Sequence, residues 1–127
     1  MKEDIKKARG KVATYGLGLG YFPYMVSIMP EVESITVVER DRRVIDIFEK
    51  HILPQFSHPE KVKIVNADAF VYAEETAPKE RFDYIYIDIW HDPSDGVDMY
   101  LRFKELEKLC PDTEFAYWIE KTMKHYM

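Results

Sequence analysis

The run Lys11-Val12-Ala13-Thr14-Tyr15-Gly16-Leu17-Gly18-Leu19-Gly20 decides how this chain folds. An extended segment that ends in alternating glycines can turn sharply and bring its backbone close to a ligand. A helix that follows such a turn points its free N–H groups at whatever sits there. A second extended run, Ser34-Ile35-Thr36-Val37-Val38-Glu39, closes on an acid. An acid about 20 residues past the glycines is placed to accept from ribose hydroxyls. The glycine spacing then separates two classes of ligand. A dinucleotide fingerprint reads G-x-G-x-x-G and needs its third glycine at the position of Tyr21. Here the third glycine is Gly20 instead.

Working outward, the chain alternates between extended and helical periods. Residues 2–9 read as a short polar helix, Val12 to Tyr15 as a buried strand and Phe22 to Met29 as a helix closed by Pro30. Asp41 is a good N-cap for a helix over 42–52, with Val44, Ile45, Phe48 and Ile52 on one face and Pro54 as its stop. Lys61 to Val65 forms a third strand, and Ala67-Asp68-Ala69-Phe70 leads into a short helix. Phe82 to Ile87 is a fourth strand that ends at Asp88. Residues 93–96 read as a loop, Val97 to Cys110 as a helix and Glu114 to Ile119 as a fifth strand. This alternation predicts a Rossmann-like, doubly wound α/β fold, with a mostly parallel sheet of about five strands and helices on both faces. Ligands in such sheets bind beyond the carboxyl ends of the strands. Gly16 to Gly20, Glu39, Asp68 and Asp88 all fall at those ends.

Composition narrows the function. The chain has 127 residues, long enough for one domain with a real core. It carries 18 basic and 23 acidic residues, a net charge of −5, which argues against a general nucleic-acid surface. One cysteine, Cys110, allows neither an internal disulfide nor a cysteine metal site. No signal peptide opens the sequence and no apolar run is long enough for a bilayer, so a cytoplasmic protein without membrane contact is expected.

From Lys11 to about Ile119 the order of motifs resembles the class I S-adenosylmethionine-dependent methyltransferases, and in particular their spermidine synthase-like branch. The similar segments are Pro30 to Asp41, His51-Ile52-Leu53-Pro54, Lys61 to Phe70, and Phe82 to Asp88 with Asp92-Pro93 just after. The resemblance implies S-adenosylmethionine, S-adenosylhomocysteine or decarboxylated S-adenosylmethionine as the cofactor. It implies that Gly16, Gly18 and Gly20 border the methionine arm and that Glu39, followed by Arg40, takes the ribose hydroxyls. Asp68 would accept from the adenine amino group, with Ala69 lending a backbone N–H, and Asp88 would stand at the reacting centre. An ionised carboxylate only accepts, which suits the donors on adenine and ribose. Apolar Tyr21, Phe22, Val38 and Phe70 are expected to wall the ligand.

The strand end Ile87-Asp88-Ile89-Trp90-His91-Asp92 also looks like that of catechol O-methyltransferases. Asp88 would act as general base or would orient the nucleophile, and a neutral His91 could serve as a base near neutral pH. Asp88, His91 and Asp92 are an alternative metal set, but after the fifth strand only Glu120 could help, and no metal is expected. Other positions depart from the family. Thr14 stands where an acid is usual, and Leu19 stands where spermidine synthases place the aspartate that grips the polyamine. Aminopropyl transfer to a polyamine is therefore not expected. The leading reading is a methyltransferase-like transferase acting on a small molecule. A non-catalytic remnant that still binds an adenosyl ligand or a partner is the alternative. The resemblance implies a C-terminal β-hairpin that these residues are expected to lack, so the fifth strand is expected to stand as an open edge. A homodimer through that edge, using Tyr117, Trp118 and Met123, is expected.

Overall fold

The computed structural model describes residues 2–18, 20–90, 93–118 and 120. Five parallel strands form one sheet in the order β3-β2-β1-β4-β5. They are β1 (Gly10–Tyr15), β2 (Val32–Glu39), β3 (Val62–Asn66), β4 (Tyr84–Ile87) and β5 (Glu114–Tyr117). Among the described residues α1 (Lys2–Lys7) precedes the sheet, and α2 (Tyr21–Ser27), α3 (Arg42–Ile47), α4 (Ala69–Glu75), α5 (Ala77–Glu80) and α6 (Pro93–Leu106) lie between its strands. The strand order reverses direction at β1, which has β2 on one side and β4 on the other. That switch point is where an open α/β sheet leaves a crevice.

Side chains alternate across a strand, so each strand feeds two cores. On one face Val12, Ile35, Val37, Tyr84 and Tyr86 meet Ile5, Ala8, Phe22, Val26 and Phe48, which come from α1 and the residue after it, from α2 and from just past α3. On the other face Ala13, Tyr15, Val38, Ile85 and Ile87 meet Tyr72, Ala73, Ala77, Tyr100 and Phe103 from α4, α5 and α6. The sheet is thus covered on both faces, as the alternating pattern predicts. Register aligns the strand ends: Tyr15 lies beside Val38 and beside Ile87, and Glu39 lies beside Asn66. The chemically loaded residues therefore emerge side by side along one rim.

Two helices depart from the reading of the sequence. Residues 93–96 belong to the first turn of α6 rather than to a loop. Proline suits a helix's opening position, because the N–H it lacks has no partner there anyway. Pro54 does not end the helix after α3. The chain passes through a π turn at Phe48–Ile52 and a 3-10 turn at Leu53–Gln55, with the proline in that turn's opening positions. β5 has one neighbour, β4, among the described residues. Of the residues expected at an interface there, Tyr117 is buried in its own core, so it is not available to a second copy. Met123 lies outside the described residues. Among those described, no helix is long and apolar enough to cross a membrane.

Candidate functional site

The three glycines after β1 do three different jobs. Gly16 has φ 94°, and its N–H donates to the Val38 carbonyl at 2.8 Å. A Cβ on Gly16 would lie 2.1 Å from the Asp88 carbonyl oxygen. Neighbouring backbone thus demands glycine here, whatever binds beyond it. Gly18 has φ 56° and is exposed, and a Cβ there would meet Asp88 Oδ2 at 3.4 Å. Gly20 caps α2 with φ 83° and packs against Phe48, which a Cβ would approach to 3.0 Å. Gly16 and Gly18 line the cavity described below, whereas Gly20 stands behind the turn and not in it. Thr14, buried within β1, spends its hydroxyl on the Gly16 carbonyl at 3.3 Å.

At the end of β2, both carboxylate oxygens of Glu39 accept backbone N–H groups. Leu17 donates to Oε1 at 2.9 Å and Asp41 donates to Oε2 at 3.0 Å. The acid therefore ties the glycine turn to the start of α3, whose N-cap is Asp41. Asn66 adds a brace that the sequence reading missed. Its side-chain amide donates to the carbonyls of Glu39 at 3.0 Å and Arg40 at 2.9 Å. An asparagine that closes a strand beside an acid is the signal that was available.

Asp68 is the N-cap of α4. Its Oδ1 accepts from Phe70 N at 2.8 Å and from Val71 N at 3.2 Å. Its other oxygen, Oδ2, lies 3.9 Å from the exposed guanidinium of Arg40. Ala69 opens α4, so its N–H has no acceptor within the helix. One oxygen of Asp68 thus builds the helix while the other faces outward beside a free donor.

Asp88 follows β4 and is pinned through its backbone N–H, which donates to the Tyr15 carbonyl at 2.8 Å. Burial pushes its carboxyl up to about 6. No described residue donates a hydrogen bond to that carboxylate. Trp90 lines the cavity and is buried. Its indole N–H donates to the Trp118 carbonyl at 3.1 Å, and its ring stacks on Tyr117. Trp118 in turn donates its own N–H to the Ile87 carbonyl at 2.9 Å. Glu120 accepts from the Tyr100 hydroxyl at 2.7 Å. His91 and Asp92 lie outside the described residues. Among those described, no group of three His, Cys, Asp or Glu gathers to hold a metal.

These strand ends enclose one cavity of about 530 Å³. Gly16, Leu17 and Gly18 line it from β1, Val38 to Asp41 from β2, Ala67 to Phe70 from β3 and Asp88 to Trp90 from β4. Val44, Met99 and Trp118 complete the wall. Of the four walls expected from sequence, Val38 and Phe70 are present. Tyr21 is not among the lining residues and is 54 % exposed. Phe22 is buried in the other core, stacked on Tyr86 with ring centroids 4.3 Å apart. Met99 and Trp118 were missed because they arrive from α6 and from beyond β5, far in sequence from any glycine motif.

A glycine turn, an acid on the neighbouring strand and a crevice at the sheet's switch point define a Rossmann-like α/β domain with a ligand-sized cavity. Residues 8–109 match the spermine/spermidine synthase domain, and the chain belongs to that family. No curated protein matches it in sequence. Among solved structures it is similar to a spermidine synthase in complex with the transition-state analogue AdoDATO. That match has 22 % identity and a TM-score of 0.61, over 89 % of this chain and 38 % of that one. The spermidine synthase of Thermotoga maritima matches at 24 % identity and TM-score 0.61, over 89 % of this chain and 39 % of that one. Human methyltransferase-like protein 13, solved with SAH, matches at 20 % identity and TM-score 0.62, over 98 % of this chain and 62 % of that one. The chain thus spans about two fifths of the spermidine synthases' length.

Proposed function

We propose that the cavity binds an S-adenosyl sulfur compound and that the protein is a methyltransferase-like transferase acting on a small molecule. The convergence of Gly18, Glu39, Asp68 and Asp88 on one cavity of about 530 Å³ carries this reading. That volume is within the range of about 300–1,000 Å³ typical of ligand pockets. The solved relatives with AdoDATO and SAH support the same class of ligand.

Each residue has a physical part. Glu39 is held by two backbone donors and keeps lone pairs for ribose hydroxyls. Asp68 offers Oδ2 to the adenine amino group, Ala69 offers its N–H to the ring, and Arg40 closes the rim above them. Gly16 and Gly18 give the sulfur-bearing arm access to the turn, with Gly20 fixing the turn from behind. When bound, an adenosyl sulfonium supplies an electrophilic carbon. Asp88 orients the acceptor and takes its proton. General bases of this kind contribute about 10²–10⁴ in rate.

Thr14 favours a second reading, that of binding without turnover. Its hydroxyl is committed to the turn itself, so it gives a ligand no polar tether. Calorimetric titration with S-adenosylmethionine, S-adenosylhomocysteine, decarboxylated S-adenosylmethionine and NAD tests the first reading. Adenosyl sulfur compounds are expected to bind and NAD is not. Absence of heat with all three sulfur compounds would overturn it. Binding without turnover on an amine and phenol panel would favour the second reading. We further propose that the edge of β5 left unpaired among the described residues pairs with a second copy. Sedimentation showing only monomer at high concentration would refute that.

A further inference from the structure

We propose that the acceptor seated beside Asp88 is a flat, apolar molecule carrying one O–H or N–H nucleophile, held against Trp118, and not a polycation. This inference rests on the adenosyl reading of the cavity. It concerns the part of that cavity left over when the glycine turn, Glu39 and Asp68 are assigned to the cofactor.

A polyamine needs a carboxylate near each ammonium, because an unpaired charge is costly to take out of water. The carboxylates among the described lining residues are Glu39, Asp41, Asp68 and Asp88. Glu39 is committed to Leu17 and Asp41, Asp41 caps α3, and Asp68 caps α4. All three stand at the ends of β2 and β3, on the adenosine side. Asp88 alone faces the remainder, whose other described walls are Ile89, Trp90, Met99 and Trp118. Among the described residues, that part of the cavity offers one side-chain carboxylate in an otherwise apolar and aromatic wall.

The wall is also preorganised. Trp118 is fixed at both of its backbone polar groups, through its N–H to Ile87 and its carbonyl to the indole of Trp90. Trp90 is itself locked by stacking on Tyr117 at 6.2 Å with an interplanar angle of 12°. Trp118 remains half-buried, with packing against both cores. A large aromatic ring held in place at a cavity wall favours a flat partner, since little freedom is lost on binding. In the transfer, a lone pair of the acceptor's oxygen or nitrogen forms the bond to the donated carbon. The carbon–sulfur bond breaks with its electron pair left on sulfur, and the acceptor's proton passes to Asp88.

The test is calorimetric titration of the protein saturated with S-adenosylhomocysteine, using 2-naphthol and putrescine as probes. Tighter binding of 2-naphthol than of putrescine, by about tenfold or more, is expected. Trp118→Leu keeps apolar bulk and removes the plate, and is expected to weaken 2-naphthol by about tenfold. Trp118→Phe restores a ring and is expected to recover most of that loss. Putrescine binding more tightly, or a Leu variant with unchanged 2-naphthol affinity, would overturn the proposal. Failure of S-adenosylhomocysteine to bind the native protein would overturn the adenosyl reading and this inference together. Its binding without any 2-naphthol binding would overturn this inference alone.

Discussion

Glu39 and Asp88 end the two strands that flank β1, yet their carboxylates live in opposite circumstances. Glu39 receives a backbone N–H on each oxygen, and so serves as a strut between two turns. Asp88 receives none from the described residues, and burial lifts its carboxyl to about 6. A carboxylate held by one backbone donor on each oxygen is fixed in place and keeps further lone pairs for a ligand's hydroxyls. A desolvated one without donors is suited to accepting a proton. The same strand-end position thus supports holding on one side of β1 and reaction on the other, and the difference lies in which backbone groups point inward.

The largest expected effect tests the reacting side. Asp88→Asn should lower the rate of transfer to 2-naphthol by about 10²–10⁴ while leaving S-adenosylhomocysteine affinity within about threefold. Equal losses in rate and affinity would erase the division between the two strand ends. On the holding side, Glu39→Gln replaces one acceptor oxygen with a donor that must face Leu17 or Asp41. It should weaken S-adenosylhomocysteine by about thirtyfold and lower stability in urea by about 2 kcal/mol. Unchanged urea stability would mean that Glu39 is not a strut.

A pH series sharpens the comparison further. The folded Asp88 carboxyl binds its proton more readily than the ordinary value of 3.8 allows. Stability from the protonated form is therefore fully present below about pH 4 and lost as pH rises through about 6. Asp88→Asn should melt above the native protein at about pH 8, with the gap closing at about pH 4. A gap that stays constant with pH would exclude burial of this carboxyl as its cause. The smallest effect separates the two oxygens of Asp68. Asp68→Ala should cost about 1 kcal/mol through loss of the helix cap. Asp68→Ser should recover the cap in urea titrations yet still bind S-adenosylhomocysteine about fivefold more weakly than native. Full recovery of both would reduce Asp68 to a cap.

The sheet and the strand ends were legible in the sequence because period and punctuation agree there. β-branched runs end at Glu39 and Ile87, and glycines break the chain after Tyr15. The far wall of the cavity was not legible. Met99 and Trp118 reach it through the path of α6 and the pairing of β5 with β4, which no local pattern encodes. Tyr21 and Phe22 misled for a related reason. They are next to Gly20 in sequence, but the αL turn at that glycine sends Phe22 into the opposite core. Asp68 stands just before a helix in the sequence, where an aspartate can cap as well as bind. In the structure its Oδ1 is a cap, and Oδ2 remains turned toward Arg40.

Gly16 and Gly18 sit two residues apart, and the constraints on them differ in origin. Replacing Gly16 is forbidden by the Asp88 backbone, with or without a ligand. Gly18 is exposed at the cavity and a Cβ there would meet only the end of a side chain, so its constraint is the left-handed backbone at φ 56° and not a backbone clash. In a descendant that had abandoned its ligand, selection would still hold Gly16 strictly, whereas Gly18 would relax only toward residues such as Asn that tolerate a left-handed backbone. The ratio of change at these two sites among near relatives would then report whether the cavity is still in use, without any protein being purified.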